Sequence, residues 1–130
     1  MKFFLPRHGT IVLVLAALFF VIDAWGHISR AYPTVWWVDI AEHLLFGAWL
    51  TLALLYPRLW PYHFAPLAAF SIVMLVGLGW EGFEYLYDIL YALPNGADLA
   101  QHGPWDTAKD IINNALGAGA ALVAYRSFGR

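Results

Sequence analysis

The sequence predicts an all-α integral membrane protein: a single transmembrane domain over residues 1–130, built as a four-helix transmembrane bundle. Two observations support this fold class. First, 62% of the 130 residues are hydrophobic and only 12% are charged, whereas about a quarter of the residues in a soluble domain are charged. Second, four apolar stretches each approach or exceed the roughly 20 residues that a helix needs to cross the hydrocarbon core.

Proline and glycine separate these stretches, so the helices can be placed in order along the chain. They cover roughly residues 9–27, 35–56, 65–91 and 105–125. The first follows Lys2 and Arg7, a layout that also fits a signal peptide, and we interpret it as the first transmembrane helix. Pro57 and Pro61 separate the second helix from the third, because proline interrupts a helix. The turn at 93–96 is expected to end the third.

The basic residues predict the orientation, because cytoplasmic loops carry an excess of lysine and arginine. Five of the seven fall on one side of the four helices: Lys2, Arg7, Arg58, Arg126 and Arg130. We therefore expect N- and C-termini cytoplasmic, in a multi-pass protein of the bacterial inner (cytoplasmic) membrane. Tryptophans at the opposite ends of the helices would form an outer aromatic belt. Expected partners are membrane lipids and a second copy in a possible homodimer, but no nucleic acid, since a basic stripe is lacking.

All nine acidic residues fall on the outer side of this topology. Counted at 1.5 Å per residue, His43, Glu81 and Asp110 lie about 20–23 Å above the cytoplasmic ends of their helices. A second layer follows at roughly 26–28 Å, formed by Asp39, Glu84 and Asp106. Ionisable groups inside a bilayer are costly and usually line a site or a path.

Matched heights on several helices predict a carboxylate and histidine pocket that binds a divalent metal ion. Carboxylates this close cannot all stay ionised unless some hold protons or a cation lies among them. Oxygen ligands with imidazole suit Zn, Mn, Fe or Mg, which the sequence does not distinguish. The expected ligands are His43, Glu81, Glu84, Asp110, Asp39 and Asp106. The residues expected to support them are Asn114, Lys109, Glu42, Asp23 and His27.

Two segments of the later helices carry a family resemblance. Trp80–Glu84 contains an E-x-x-E pair, and Pro104–Asp110 contains a W-D-x-x-K-D run that Asn114 and Gly117 follow. These segments resemble the YjdF-like family of bacterial inner-membrane proteins and, more distantly, VanZ-like membrane proteins. The resemblance implies a membrane fold with a shared polar site. It implies no particular reaction.

Three functions stay open at this point. The metal pocket could serve chemistry on a lipid or its headgroup, although no catalytic residue can be named and enzyme activity is undecided. The carboxylates could instead relay protons or cations in a coupled transporter or channel component, but the inner half of every helix is apolar. The protein could also be a structural membrane subunit that binds a partner through the acidic cluster.

Several polar and small residues have simpler interpretations. Glu81 and Glu84 could be protonated acids that hydrogen-bond between helices. Asp88 and Asp98 are expected to be solvated, and His8 and His102 receive no role. Small residues are expected to permit close helix packing: Gly77, Gly79, Gly82, Gly117, Gly119 and Ala121.

Overall fold

The computed structural model describes residues 7–128, and four long helices contain most of them. Their bounds are Arg7–Ile28 for α1, Trp37–Leu54 for α2, Pro66–Asn95 for α3 and Pro104–Phe128 for α4. No strand occurs within residues 7–128. The prediction of an all-α fold with four helices is therefore confirmed. Lys2 and Arg130, which contributed to the predicted orientation, lie outside the described residues.

Three of the helices are long and apolar enough to cross a membrane, namely α1, α2 and α3. α4 is less apolar because Asp106, Lys109, Asp110 and two asparagines lie in its first half. Its 25 residues would nevertheless extend about 38 Å at 1.5 Å per residue. That α4 also crosses the membrane stays a prediction.

The C-terminal end of α3 departs from regular α-helix. The chain is α-helical over Pro66–Tyr87, π-helical over Asp88–Ala92, and completes one more turn over Leu93–Asn95. In the π segment the Leu93 N–H bonds to the Asp88 carbonyl five residues back. Pro94 is tolerated because it lies at the start of the new turn. The helix therefore continues past the expected break and stops at Gly96, whose φ of 65° is the left-handed capping conformation.

α2 is the central helix of the bundle. It packs most extensively against α4 and also against α1, while α3 packs mainly against α4. Two apolar clusters fill the bundle where α2 and α4 end. The first joins α1, α2 and α4 through Val12, Leu52, Ala53, Tyr56 and Ala121; the second joins α2, α3 and α4 through Leu54, Leu55, Ala69, Val73 and Ala118. The polar residues described below lie at the opposite end.

Two glycines set the close approach of α2 and α4. A Cβ at Gly47 would collide with the backbone carbonyl oxygen of Asn114, and one at Gly117 would collide with that of Leu44. Because both obstacles are backbone atoms, only a residue without a side chain fits at either position. Small residues serve membrane helix contacts in this way.

The remaining small residues divide into two groups. A Cβ at Gly77 would meet the Asn114 side chain, and Ala121 belongs to the first apolar cluster. Three other glycines have no atom within 4 Å of an added Cβ, namely Gly79, Gly82 and Gly119. The packing prediction is wrong for these three among residues 7–128, because no neighbouring side chain or backbone lies against them.

Candidate metal centre

The first turns of α2 and α4 meet at one end of the bundle, and Lys109 joins them. Its Nζ lies 2.6 Å from an Asp39 carboxylate oxygen and 2.6 Å from an Asp106 carboxylate oxygen. The same ammonium is 3.6 Å from Asp110 Oδ1. Carboxylates are favourable in the first turn of a helix, where the helix dipole is positive. Lys109 thus holds the α2 and α4 carboxylates together as their counter-ion.

Asp39, His43 and Asp110 form the group best arranged to hold a metal ion. Asp39 and His43 are four residues apart on α2, so both side chains lie on one face. His43 Nε2 lies 3.4 Å from Asp39 Oδ1 and 3.7 Å from Asp110 Oδ1. One ligand atom from each of the three residues falls within 4.8 Å of the others. The combination of imidazole with carboxylate oxygens is one that divalent transition metals accept.

Asn114 fixes the orientation of the His43 ring. His43 Nδ1 lies 3.3 Å from Asn114 Oδ1. An amide oxygen can only accept a hydrogen bond, so Nδ1 carries a proton and donates it. Histidines that bind metals through one ring nitrogen typically donate the other in this way. Nε2 is therefore the nitrogen that faces Asp39 and Asp110.

The contacts of Nε2 leave negative charge unbalanced. In neutral His43, Nε2 is an acceptor that faces two carboxylate oxygens, which are acceptors as well. Asp110 Oδ1 is buried and makes no hydrogen bond within the described chain. Against the carboxylates of Asp39, Asp106 and Asp110 stands one lysine. Either a second proton on His43 or a bound cation would balance this cluster.

Glu81, a predicted ligand, lies in a different polar cluster between α3 and the chain that leads into α4. Its Oε2 accepts hydrogen bonds from Gln101 Nε2 and Thr107 Oγ1, both at 2.9 Å. Only 5% of Glu81 is exposed, and its Oε1 has no hydrogen-bond partner in the described chain. The structure does not bring Glu81 into the group around His43.

Asp88 belongs beside this second cluster and is not solvated, contrary to expectation. It is buried and accepts hydrogen bonds from the backbone N–H groups of Ala100 at 2.8 Å and Gln101 at 2.9 Å. The loop after α3 folds back over the helix end, and this fold removes Asp88 from solvent. Asp88 thereby fixes the position of Gln101, the partner of Glu81.

The other predicted residues lie around the group rather than in it. Glu84 accepts a 2.8 Å hydrogen bond from Trp80 Nε1. Asp23 pairs with His27 at 3.3 Å near the C-terminal end of α1. Asp106 joins the group only through Lys109. None of these four residues belongs to the group of ligand atoms that Asp39, His43 and Asp110 form.

Glu42 has a partner that the sequence did not indicate, the hydroxyl of Tyr32, which donates a hydrogen bond to its carboxylate. Burial and this carboxylate raise the pKa of the Tyr32 phenol above its usual range, so Tyr32 remains a donor. Tyr32, Gln101 and Thr107 were missed as site residues. Helix periodicity gives no signal for such contacts, because each joins a helix to a loop or to another helix. His102, which received no role, lies 3.5 Å from Asp106.

Comparison with known proteins places the chain in a family. No curated protein and no solved structure is significantly similar to it. Residues 3–130 match the family described as "Predicted membrane protein (DUF2238)", in agreement with the apolar helices α1, α2 and α3. A match over nearly the whole chain shows that this multi-pass membrane protein belongs to the DUF2238 family.

Proposed function

We propose that this membrane protein binds a divalent cation through Asp39, His43 and Asp110, at the end of the bundle where α2 and α4 begin. One observation supports the proposal above the others: Nε2 of a ring oriented by Asn114 faces two carboxylate oxygens at 3.4 and 3.7 Å. In neutral His43 this nitrogen is itself an acceptor. Three acceptors in that arrangement repel each other without a cation between them. A metal ion would remove the repulsion.

Three protein ligands would leave coordination positions for water or a substrate, as catalytic metal sites do. A divalent ion held there would supply Lewis-acid polarisation of a carbonyl or phosphoryl oxygen. The chain itself orients His43 through Asn114 and restrains Asp39 through Lys109. Because one ligand is imidazole, Zn, Mn and Fe suit the group better than Mg. We infer that the chemistry acts on a lipid or its headgroup, since the group lies at an end of membrane-spanning helices.

The apolar clusters at the opposite end of the bundle favour a metal-binding site over a transport pathway for protons or cations, because such a pathway needs a polar lining along its length. We further propose that the protein lies in the bacterial inner membrane with both termini cytoplasmic. The family description names no individual protein, so the YjdF-like and VanZ-like resemblances remain predictions. They are compatible with the same polar site.

Metal content tests the proposal directly. The protein is purified without chelator or histidine tag after growth with Zn and Mn, and metal per chain is measured by mass spectrometry for the wild type and two variants. Asp110→Asn removes a ligand, while Asp98→Asn makes the same chemical change at an exposed loop position. We expect about one metal ion per chain in the wild type and in Asp98→Asn, and a large loss in Asp110→Asn.

Thermal unfolding provides a second measurement on the same samples. A bound metal stabilises the folded state, so a chelator should lower the unfolding temperature of the wild type and leave Asp110→Asn unchanged. Metal at background in the wild type, or equal metal in all three proteins, would overturn the proposal. His43 would then be protonated between the two carboxylates.

A further inference from the structure

A cavity of about 320 Å³ lies between α1, α2 and α3, beside the proposed metal group. Most of its wall is aromatic or aliphatic: Phe19, Phe20, Phe46, Trp49 and Val76. α1 packs on α2 and α3 on α4, but α1 and α3 make little contact with each other among the described residues. The cavity is therefore a cleft between two membrane-spanning helices, and α2 forms its floor.

Water is a poor occupant of this cleft. The volume would hold about ten water molecules at the density of the liquid, but apolar cavities remain dry. Phe20 and Val76 at the rim are exposed on the outer surface of α1 and α3, the surface that contacts lipid in a membrane. Hydrocarbon chains are the molecules available there in quantity.

One end of the cleft is polar, and an unused hydrogen-bond donor lies there. Asn114 is 1% exposed and lines the cavity beside Gly77 and His43. Its Oδ1 accepts from His43, but its Nδ2 has no partner in the described chain. A buried N–H without an acceptor is unfavourable. A ligand carbonyl at this point would provide that acceptor.

The charged residues beside this donor further restrict the class of ligand that the cleft could bind. Asp23 and Glu42 also line the polar end, and among the described residues no lysine or arginine does. A headgroup with net negative charge would be repelled there, whereas one that carries an amine or hydroxyls would find acceptors. The cleft thus combines an apolar wall, a hydrogen-bond donor for a ligand carbonyl and carboxylate acceptors for a neutral or amine-bearing headgroup.

We propose that the cleft binds one acyl chain of an ester-linked membrane lipid whose head carries no net negative charge, with the ester carbonyl accepting from Asn114 Nδ2. Such a lipid would place its ester beside His43, which the cleft and the metal group share. An ester-linked lipid would then be the substrate class of the metal site, a role that rests on the proposed function. Lipid binding itself does not require the metal.

Photo-crosslinking tests the cleft. The probe is phosphatidylethanolamine with a diazirine in one acyl chain, mixed into vesicles that hold the full-length protein, and labelled peptides are identified by mass spectrometry. Val76→Trp fills the cleft from its lipid-exposed rim. Leu78→Trp is the matched control, because Leu78 is similarly exposed on α3, at 52% against 45%, but does not line the cavity.

We expect labelling concentrated on the α2 floor near Phe46 and Trp49. In Val76→Trp the larger side chain should overfill the cleft and reduce this labelling about tenfold. Leu78→Trp should be labelled like the wild type. Labelling spread over all outer helix faces and unchanged in Val76→Trp would overturn the proposal, because it would indicate only surrounding lipid. Absence of labelling from the α2 floor would also overturn it, because the cleft would then be closed to lipid, as it would be if a second copy covered it.

Asn114→Leu tests the carbonyl contact, and Asn113→Leu is its buried neighbour control. The wild type should label about fivefold more strongly with the ester-linked probe than with an ether-linked analogue. Asn114→Leu should lose this preference and Asn113→Leu should keep it. Equal labelling by both probes in the wild type would contradict the carbonyl contact.

Metal analysis of the same samples separates the two proposals. Val76→Trp should retain metal while losing lipid, and Asp110→Asn should lose metal while retaining localised lipid labelling. Localised labelling on a chain without metal would refute the metal site alone. A metal-loaded chain without localised labelling would refute the lipid cleft alone.

Discussion

Because α2 and α4 approach closely, replacing glycine by alanine should have opposite effects on stability at two positions of α4, Gly117 and Gly119. In a helix interior, Gly→Ala is favourable by about 1 kcal/mol. At Gly119 nothing lies within 4 Å of the new methyl group, so the gain should be retained. At Gly117 the methyl would collide with the Leu44 backbone carbonyl, which cannot rotate away as a side chain can. Overpacking costs about 1–3 kcal/mol, and a backbone obstacle favours the upper value.

The expected outcome is therefore a stabilisation of about 1 kcal/mol in Gly119→Ala and a net destabilisation of about 2 kcal/mol in Gly117→Ala. Reversible unfolding in detergent, monitored by circular dichroism during a denaturant titration, would measure the difference. Metal content should follow the same division, because a forced separation of α2 and α4 moves Asp110 away from His43 and metal ligands tolerate only about 0.2 Å. If Gly117→Ala proves as stable as Gly119→Ala, the inferred backbone contact is wrong.

Two further predictions concern the loops at opposite ends of the bundle. Asp88→Asn should lower the free energy of unfolding by about 1–3 kcal/mol, because an amide cannot accept from both the Ala100 and the Gln101 N–H groups. Limited proteolysis of loop 96–103 should then accelerate. An unchanged cleavage rate would contradict the anchoring role of Asp88. Because the natural chain lacks cysteine, single cysteines can report the orientation. In intact spheroplasts a membrane-impermeant maleimide should label Asp98→Cys and spare Arg58→Cys, and the reverse pattern would invert the proposed topology.

Hydropathy and residue spacing were sufficient to predict the helices and to name all three residues of the candidate metal group, although they also named three ligands that lie outside it. Asp39 and His43 share a face through their four-residue spacing, and counting along α4 placed Asp110 at the corresponding depth. Depth counting gives the height of a residue but not the direction in which it points around the helix. Glu81 has a similar height, yet it faces Gln101 and Thr107 and not His43.

Loops caused the remaining differences from the sequence prediction. Asp88 was expected in solvent because nothing in the helix pattern indicates that residues 99–101 fold back over α3. Tyr32 was missed for the same reason, since its hydroxyl reaches Glu42 from a loop. Gly47 was missed because a single glycine in an apolar run gives no sign of which neighbouring backbone it will meet.

The π segment of α3 contains an extra residue, and this affects how the helix would respond to deletions. A π turn contains one residue more than the α turn that it replaces. Deleting one residue between Asp88 and Ala92 should replace the π turn by an α turn and leave the segment beyond it nearly unrotated, because either turn makes one full rotation. A deletion between Glu81 and Tyr87, in regular helix, would instead rotate everything beyond it by about 100°. Gln101 would then be carried away from Glu81, although neither residue had changed. Single-residue deletions should therefore be tolerated better in the π segment than in the regular helix that precedes it.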